Sequence, residues 1–291
     1  MQKIISKFFI LLFVLFSSCE NKKIRDKEGL IVYQENQISW IRNFEPLNPV
    51  SIPRWPTRGG IYESLFLNNP ITTDWIPWLA TNYEWQNNNE KLLFTIRQGV
   101  QWSDGRTFSA HDVAYTFNLM KEFPALDTRN AWGYLKSVVA VSDTLVEVTF
   151  KRIYVPGFEA VAGAPIVPKH IWSELEDPLD FSNPHPVGTG PFTEILRFNS
   201  QIWELGKNHN YWQAGKPHVE KLIFPTFSTN EQTTLALLSG ELDYAGAFIP
   251  AIQRIFVEKD PEHHHYWFRN TGYSTFLHTN TKDPVLKDSN V

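Results

Sequence analysis

Hydrophobic residues recur at every second position in two segments of the chain, KLLFTIR (91–97) and TLVEVTF (144–150). This period is typical of a strand that buries one face and leaves the other in solvent. The residues predicted to face the core are Leu92, Phe94 and Ile96 in the first segment, and Val146, Val148 and Phe150 in the second. Shorter apolar runs predict further strands at 30–33, 202–205, 221–224 and 241–244.

Helices are predicted after two capping signals. Ser109 and Asp112 have the spacing of a capping box, and they follow a turn at WSDG (102–105). The apolar face of the helix that follows consists of Val113, Phe117 and Met120. A second capping box at 228–231 predicts a helix that ends at Gly240. A short helix is expected near residue 172, and the segment 59–67 fits either a helix or a strand. Helices and strands interleave irregularly, so the pattern predicts a mixed α/β protein.

The first twenty residues have the three-part layout of a secretory signal. Lys3 and Lys7 form a positive start, the apolar run FFILLFVLF (8–16) follows, and two serines precede Cys19, the only cysteine of the chain. The run is too short for a bilayer, which needs about 20 apolar residues. A cysteine after small residues resembles a bacterial lipobox, which implies a signal peptide at 1–19, a lipid anchor at Cys19 and a polar tether at 20–29. An ordinary signal peptide with an incidental cysteine, or an uncleaved anchor, are the alternatives.

Composition narrows the function classes. The net charge of −4 gives no electrostatic reason to bind nucleic acid. One cysteine allows neither an internal disulfide nor a zinc site built on cysteine pairs, and we predict no metal and no cofactor. Aromatic residues make up 14% of the chain, with 11 Trp and 21 Phe. A buried indole N–H needs a hydrogen-bond partner, so 11 tryptophans are more than a hydrophobic core usually contains. We expect some of these rings to line a ligand-binding cleft.

Five segments together resemble one family, the extracellular solute-binding proteins of family 5, which are peptide- and oligosaccharide-capturing lipoproteins of ABC importers. The most specific segment is LLFTIRQGVQWSDGRTFSAHDVAYTF (92–117), in which an alternating strand ends in Arg97 and a helix opens with Ala110, Asp112 and Val113. The other four are PVGTGPF (186–192), KNHNYWQAGKPHVEKLIF (207–224), LLSGELDYA (237–245) and LHTNT (277–281). The resemblance rests on all five segments occurring in the same order as in the family.

The resemblance implies an α/β fold of the class II periplasmic binding protein type, with two lobes joined by a hinge. Residues 30–62 and 180–272 would form the discontinuous core of lobe one, and residues 63–179 an α+β subdomain inserted into it. Residues 273–291 would form the crossover and the start of lobe two. The sequence departs from the family pattern at Val291, where members continue through a long second lobe, so a fragment or truncated product is expected.

Four further motifs could carry chemistry, but we favour a structural explanation for each. Asp104-Gly105 suits a tight turn, and Gly188-Thr189-Gly190 lacks the Lys-Ser/Thr of a phosphate-binding loop. The histidines at 263–265 are adjacent, so their side chains do not converge and a solvated loop is predicted, with nickel capture, known in the family, as the alternative. Glu241 and Asp243 lie on a strand rather than forming an acid/base pair.

The candidate ligand contacts are aromatic residues in predicted loops, because flat rings bind varied ligands at low entropic cost. These candidates are Trp40, Trp55, Trp132, Phe248 and Trp267. Packing in the core or on the surface is the alternative role for each of them.

The resemblance implies a monomeric, exported binding protein, lipid-anchored at the cell envelope, that captures peptides and delivers them to ABC permease subunits without chemistry of its own. An oligosaccharide ligand of the cello-oligosaccharide type is the alternative within the family, since rings stack on sugar faces. A secreted glycoside hydrolase is the alternative from another class, and it predicts two carboxylates at a fixed separation. A sensor or interaction lipoprotein is the third possibility.

Overall fold

Short strands and helices follow one another in irregular order along the described chain. The computed structural model describes residues 29–47, 56–268 and 282. Its strands are β1 (Gly29–Tyr33), β2 (Phe66–Asn68), β3 (Trp75–Pro77), β4 (Ala80–Gln86), β5 (Lys91–Ile96), β6 (Leu135–Ser142), β7 (Leu145–Phe150), β8 (Phe192–Phe198), β9 (Ile202–Lys207), β10 (Lys221–Pro225) and β11 (Tyr244–Ala245). Its helices are α1 (Ala110–Glu122), α2 (Gly157–Ala162), α3 (Lys169–Trp172), α4 (Asn230–Leu238) and α5 (Ile252–Ile255), with a π-helical turn at Pro56–Ile61.

A five-stranded sheet combines strands that lie far apart in the sequence. Its order is β11-β1-β10-β9-β8. β1 runs parallel to both β10 and β11, with Val32 opposite Tyr244, while β9 is antiparallel to β10 and β8. The carboxyl ends of β1, β10 and β11 therefore meet at one edge of this sheet, which is where open α/β sheets bind ligands.

A four-stranded antiparallel sheet, in the order β4-β5-β7-β6, is built from residues 80–150 alone. The alternation predicted for β5 and β7 is confirmed, because the six residues predicted to face inward are each at most 3% exposed. A separate β2-β3 hairpin precedes this sheet, so the ambiguous segment 59–67 divides between the end of the π-helical turn and the start of β2. Buried residues of both sheets belong to one continuous hydrophobic core.

The two sheets draw on different parts of the chain. The five-stranded sheet uses 29–33 and 192–245, and the four-stranded sheet uses the residues between these ranges. The boundaries that we assign to lobe one and to its insertion stay predictions. Within the described residues, none of the helices has the length and apolar character needed to cross a bilayer.

The predicted capping box of α1 is confirmed. The Ser109 side chain accepts from the backbone at the start of the helix, and Asp112 Oδ2 accepts from Ser109 N at 2.9 Å. The other carboxylate oxygen of Asp112 accepts from the backbone N–H of Lys169 at 3.0 Å, so one buried side chain caps α1 and also joins it to α3. The face formed by Val113, Phe117 and Met120 is buried, as the period predicts.

Two local predictions near the end of the described chain are wrong in register. α4 is capped by Thr229 rather than Ser228, because Thr229 Oγ1 accepts from Gln232 N while Gln232 Oε1 bonds back to Ser228 N. The strand predicted at 241–244 pairs with β1 only at Tyr244–Ala245. The residue before it, Asp243, bonds to Ile31 in two ways: its backbone N–H donates to Ile31 O, and its carboxylate accepts from Ile31 N at 2.9 Å, which supports a structural role for this carboxylate.

The glycine turn at 188–190 packs directly on the π-helical turn. A Cβ at Gly188 would lie 1.9 Å from Ile61 O, and one at Gly190 would lie 2.1 Å from Gly60 O. Gly190 N donates to Ile61 O at 2.9 Å. The glycines are therefore required by close backbone approach, in agreement with the structural explanation of this motif.

Candidate functional site

An exposed group of aromatic side chains lies beside β11, and we call it the aromatic face. It consists of two ring pairs, Tyr244 of β11 with Trp267 and the sequence neighbours Tyr266 with Phe268, and all four rings are between 41% and 73% exposed. The Trp267 and Tyr244 rings are 5.7 Å apart at 38°, and those of Tyr266 and Phe268 are 5.1 Å apart. Soluble proteins rarely expose several large rings together without a binding role.

The parallel strands hold the aromatic face in place. Backbone hydrogen bonds join Asp243 N to Ile31 O and Gly246 N to Tyr33 O, so β11 is fixed on both sides of Tyr244. Leu242 turns inward to a small core with Tyr33. Tyr244 thus has a rigid support, as a binding platform requires.

The ring candidates predicted from the sequence lie in different surroundings. Trp267 belongs to the aromatic face, and Phe248 is 75% exposed in the loop that follows β11. Trp40 is 6% exposed; its N–H donates to Phe224 O at 3.0 Å and its ring packs edge-on against Trp203. Trp40 therefore presents no open ring face.

Trp132 lies in the region of the four-stranded sheet. Its N–H donates to Phe117 O at 2.8 Å, and the Lys121 ammonium lies 4.9 Å from the ring centroid. The structure thus places this ring in local packing, and it does not bring Trp132 to the aromatic face. Trp55 and the predicted lipidation site, Cys19, lie outside the described residues.

Sequence reasoning missed the other members of the aromatic face. The sequence pattern predicts Tyr244 only as a strand residue, and it does not distinguish Tyr266 and Phe268 from other aromatic residues. The aromatic run YWF at 266–268 was the available signal, since three successive rings cannot all point inward from one extended segment.

A second group of polar and aromatic side chains, which we call the Glu63 cluster, lies between the two sheets. It consists of Glu63, Trp78, Arg97, Tyr211 and Trp212. Glu63 is 2% exposed, and its carboxylate accepts from Trp78 Nε1 at 2.6 Å, Tyr211 Oη at 3.0 Å and Trp212 Nε1 at 3.0 Å. Three donors from two regions of the chain therefore converge on one buried carboxylate.

Burial dominates the electrostatics of the Glu63 cluster. It raises the pKa of Glu63 to about 7, although the hydrogen bonds to the carboxylate, that of Trp212 foremost, act in the opposite direction. Burial and the neighbouring Glu63 also raise the pKa of Tyr211, so this phenol remains a proton donor at neutral pH. Arg97 Nε donates to Trp78 O at 2.6 Å, and its guanidinium lies 4.6 Å from the Trp212 ring centroid.

In the histidine segment 263–265, the side chains of His263 and His264 contact residues close to them in sequence. His263 Nδ1 lies 2.9 Å from Asp260 Oδ1, and the His264 ring stacks on Phe256 at 3.9 Å. Among the described residues, no group of three or more His, Cys, Asp or Glu side chains is arranged to hold a metal ion. This geometry supports the solvated-loop interpretation of the segment.

Comparison with known proteins identifies the family. The family model described as bacterial extracellular solute-binding proteins, family 5 Middle, matches residues 74–291. The chain belongs to family 5 of the bacterial extracellular solute-binding proteins. Members of family 5 are binding proteins of transport systems and not enzymes, so the glycoside hydrolase alternative is not supported.

Two of three curated relatives of this family 5 chain have ligands in their names, and the two ligands differ. Protein XP55 of Streptomyces lividans is 32% identical over 190 residues, which are 64% of this chain and 34% of the relative. The nickel-binding periplasmic protein of Escherichia coli is 26% identical over 220 residues, covering 70% and 40% of the two chains. The oligopeptide-binding protein AppA of Bacillus subtilis is 26% identical over 213 residues, covering 67% and 36%. The family 5 chain thus spans well under half of these relatives.

Solved structures of the family share the fold. A periplasmic oligopeptide-binding protein of an oligopeptide ABC transporter from Thermotoga maritima is 28% identical, with a TM-score of 0.72 over 81% of this chain and 44% of that protein. The same Thermotoga protein has also been solved with bound mannohexaose. NikZ of Campylobacter jejuni, solved with Ni(L-His), is 20% identical with a TM-score of 0.67, covering 80% of this chain and 46% of NikZ. The predicted α/β fold of the periplasmic binding protein type is confirmed.

Proposed function

We propose that this chain carries the first lobe of an ABC importer's binding protein and captures peptides on the aromatic face. The observation that carries the proposal is the position of that face, next to the carboxyl ends of the parallel strands β1 and β11. Exposed rings on a rigid strand provide broad apolar contact for ligands of varied sequence. Phe248 is included in the proposed surface because it is exposed in the loop that follows β11, three residues after the strand ends.

Peptide is the first choice of ligand, and oligosaccharide is the second. The Thermotoga relative is named an oligopeptide-binding protein, and AppA is named for oligopeptides as well, which favours peptide. The mannohexaose complex of the Thermotoga relative, together with the exposed faces of Tyr244 and Trp267, favours the sugar alternative. Nickel, which two relatives bind by name, has less support, because the described residues form no metal-binding group.

In this proposal the ligand meets the aromatic face first and is then enclosed by a second lobe. Closure would give the permease subunits a distinct form to recognise, since the ligand contacts both lobes only when they are closed. The protein would act as a monomer outside the cytoplasm. A lipid on Cys19 would hold it to the membrane, with 20–29 as the tether.

Ligand binding tests the proposal directly. The 291-residue chain is titrated calorimetrically with peptides of three to nine residues and with cello- and manno-oligosaccharides. We expect peptide binding that weakens about 30-fold in Trp267→Ala, since loss of a central aromatic anchor costs about 2 kcal/mol. Leu235→Ala serves as the control, because Leu235 is 67% exposed on α4 and lies outside the aromatic face.

Two outcomes of the titration separate the alternatives. Binding of sugars but not peptides would replace the first choice of ligand by the second. Equal binding by Trp267→Ala and Leu235→Ala would refute the aromatic face as the site. The anchor is tested separately by feeding cells an alkyne-labelled fatty acid, which should label the wild-type chain but not Cys19→Ser.

A further inference from the structure

Trp212 lies between two opposite charges. The Nε1–H edge of its indole donates to Glu63 Oε2 at 3.0 Å, while the Arg97 guanidinium lies 4.6 Å from the centroid of its ring. The ring therefore contacts an anion with its positive edge and a cation with its negative face. Both contacts are favourable for an indole quadrupole.

The Glu63 cluster joins the two sheets. Tyr211 and Trp212 lie in the connection between β9 and β10. Trp78 lies between β3 and β4, and Arg97 immediately follows β5. The rings of Trp78 and Trp212 meet edge to face at 5.3 Å. Because Glu63 and Trp212 are separated by 149 residues, their bond ties distant parts of the chain at this junction.

The two contacts of Trp212 are expected to strengthen each other. A carboxylate that accepts from the indole N–H adds electron density to the ring, and a cation over the ring makes the N–H a better donor. Such polarisation is cooperative and is largest where water is excluded, as it is around Glu63. We propose that Trp212 couples Glu63 to Arg97 electrostatically. The strength of the Arg97–Trp212 contact, at the junction between the two sheets, then depends on whether the Glu63 carboxyl group is protonated.

The charges that face Glu63 fit this arrangement. Arg97 is the cation on the far side of Trp212, and Tyr211 remains a neutral donor. Burial brings the pKa of Glu63 to about 7, so the proton is exchanged near neutral pH. When Glu63 is protonated, its hydrogen bond with the indole N–H becomes weaker, and the ring attracts the Arg97 guanidinium less strongly. Conversely, removal of Arg97 should make Glu63 hold its proton more firmly.

The experiment measures the proton affinity of Glu63 in the full chain. The carboxyl ¹³C resonance of Glu63, assigned by its loss in Glu63→Gln, is followed from pH 4 to pH 9 by NMR. We expect Arg97→Met to raise the midpoint by about half a pH unit, so that the carboxyl group binds its proton roughly threefold more tightly. In a Trp212→Phe background, the same Arg97→Met change should raise the midpoint by less than half as much.

Trp132 supplies a matched control. This indole also has a cation over its face, Lys121, but its N–H donates to a backbone carbonyl instead of a carboxylate. Lys121→Met should therefore leave the Glu63 midpoint unchanged. Far-UV circular dichroism confirms that each variant is folded. Should Trp212→Phe fail to fold, uniform fluorotryptophan labelling keeps the ring's shape, weakens the cation affinity of its face and should also reduce the Arg97 effect.

Two results would overturn the inference. An unchanged midpoint in Arg97→Met would show that the guanidinium and the carboxyl group are not coupled. An equal Arg97 effect with and without the intact indole would show that the coupling is directly through space and does not use Trp212. The inference does not depend on the proposed function, because none of its measurements requires a ligand.

Discussion

Replacing Glu63 with glutamine should alter how the stability of the protein depends on pH. In the folded protein burial raises the pKa of Glu63 to about 7, whereas its ordinary value is 4.5. The folded state thus binds a proton more tightly than the unfolded state does. The stability contributed by this group is fully present below pH 4.5 and is lost as the pH rises through 7.

The magnitude follows from the two pKa values. At about 1.4 kcal/mol for each pH unit, the difference between about 7 and 4.5 corresponds to about 3 kcal/mol of unfolding free energy. Because Glu63 is 2% exposed, solvent screening reduces this figure little. The free-energy difference between wild type and Glu63→Gln should therefore change by about 3 kcal/mol between pH 4.5 and pH 8, in favour of the variant at high pH.

The assay is urea unfolding followed by far-UV circular dichroism at half-unit pH steps. Subtracting the curve of Glu63→Gln from that of wild type removes the titrations that both proteins share. Glu84→Gln is the control, since Glu84 is an exposed carboxylate on β4 and its loss should leave the pH profile parallel to that of wild type. A Glu63→Gln profile parallel to wild type across the whole window would refute the reasoning.

Three further predictions concern local structure. Gly190→Ala places a Cβ 2.1 Å from Gly60 O and should lower the unfolding free energy in urea by about 3 kcal/mol, whereas Gly215→Ala, at φ +76° in open space, should cost only about 1 kcal/mol. Ser109→Ala removes the cap of α1 and should cost about 1 kcal/mol by calorimetry, most of which Ser109→Asp should restore. Trp203→Ala empties a fully buried site and should cost about 4 kcal/mol, and a loss below 1 kcal/mol in urea would contradict this packing.

The predicted secondary structure was most accurate where residues close in sequence decide it. β5 and β7 alternate because neighbouring side chains of a strand point to opposite faces. α1 begins directly after its cap, Ser109, because the cap involves residues at most three positions away. The register of α4 was wrong by one residue because Ser228 and Thr229 are both capable caps. Only the position of Gln232 in the folded turn selects Thr229.

The surroundings of the functional candidates could not be predicted from the sequence, because exposure is not a local property. Trp40 and Trp267 both lie in segments without a helical or strand period. Trp40 folds back onto Phe224, far away in sequence, while Trp267 lies open beside Tyr244. A sequence pattern does not distinguish these two outcomes, since each depends on a partner that the topology supplies.

The amino-acid sequence by itself determined the short-range features of this protein and, through five ordered segments, its family. The tertiary structure alone decided which rings form the aromatic face and that Glu63 receives its donors from Trp78 and from Trp212. The physical reason is distance along the chain. A hydrogen bond across 149 residues, as between Glu63 and Trp212, exists only after both sheets have formed, and no local pattern in the sequence encodes it.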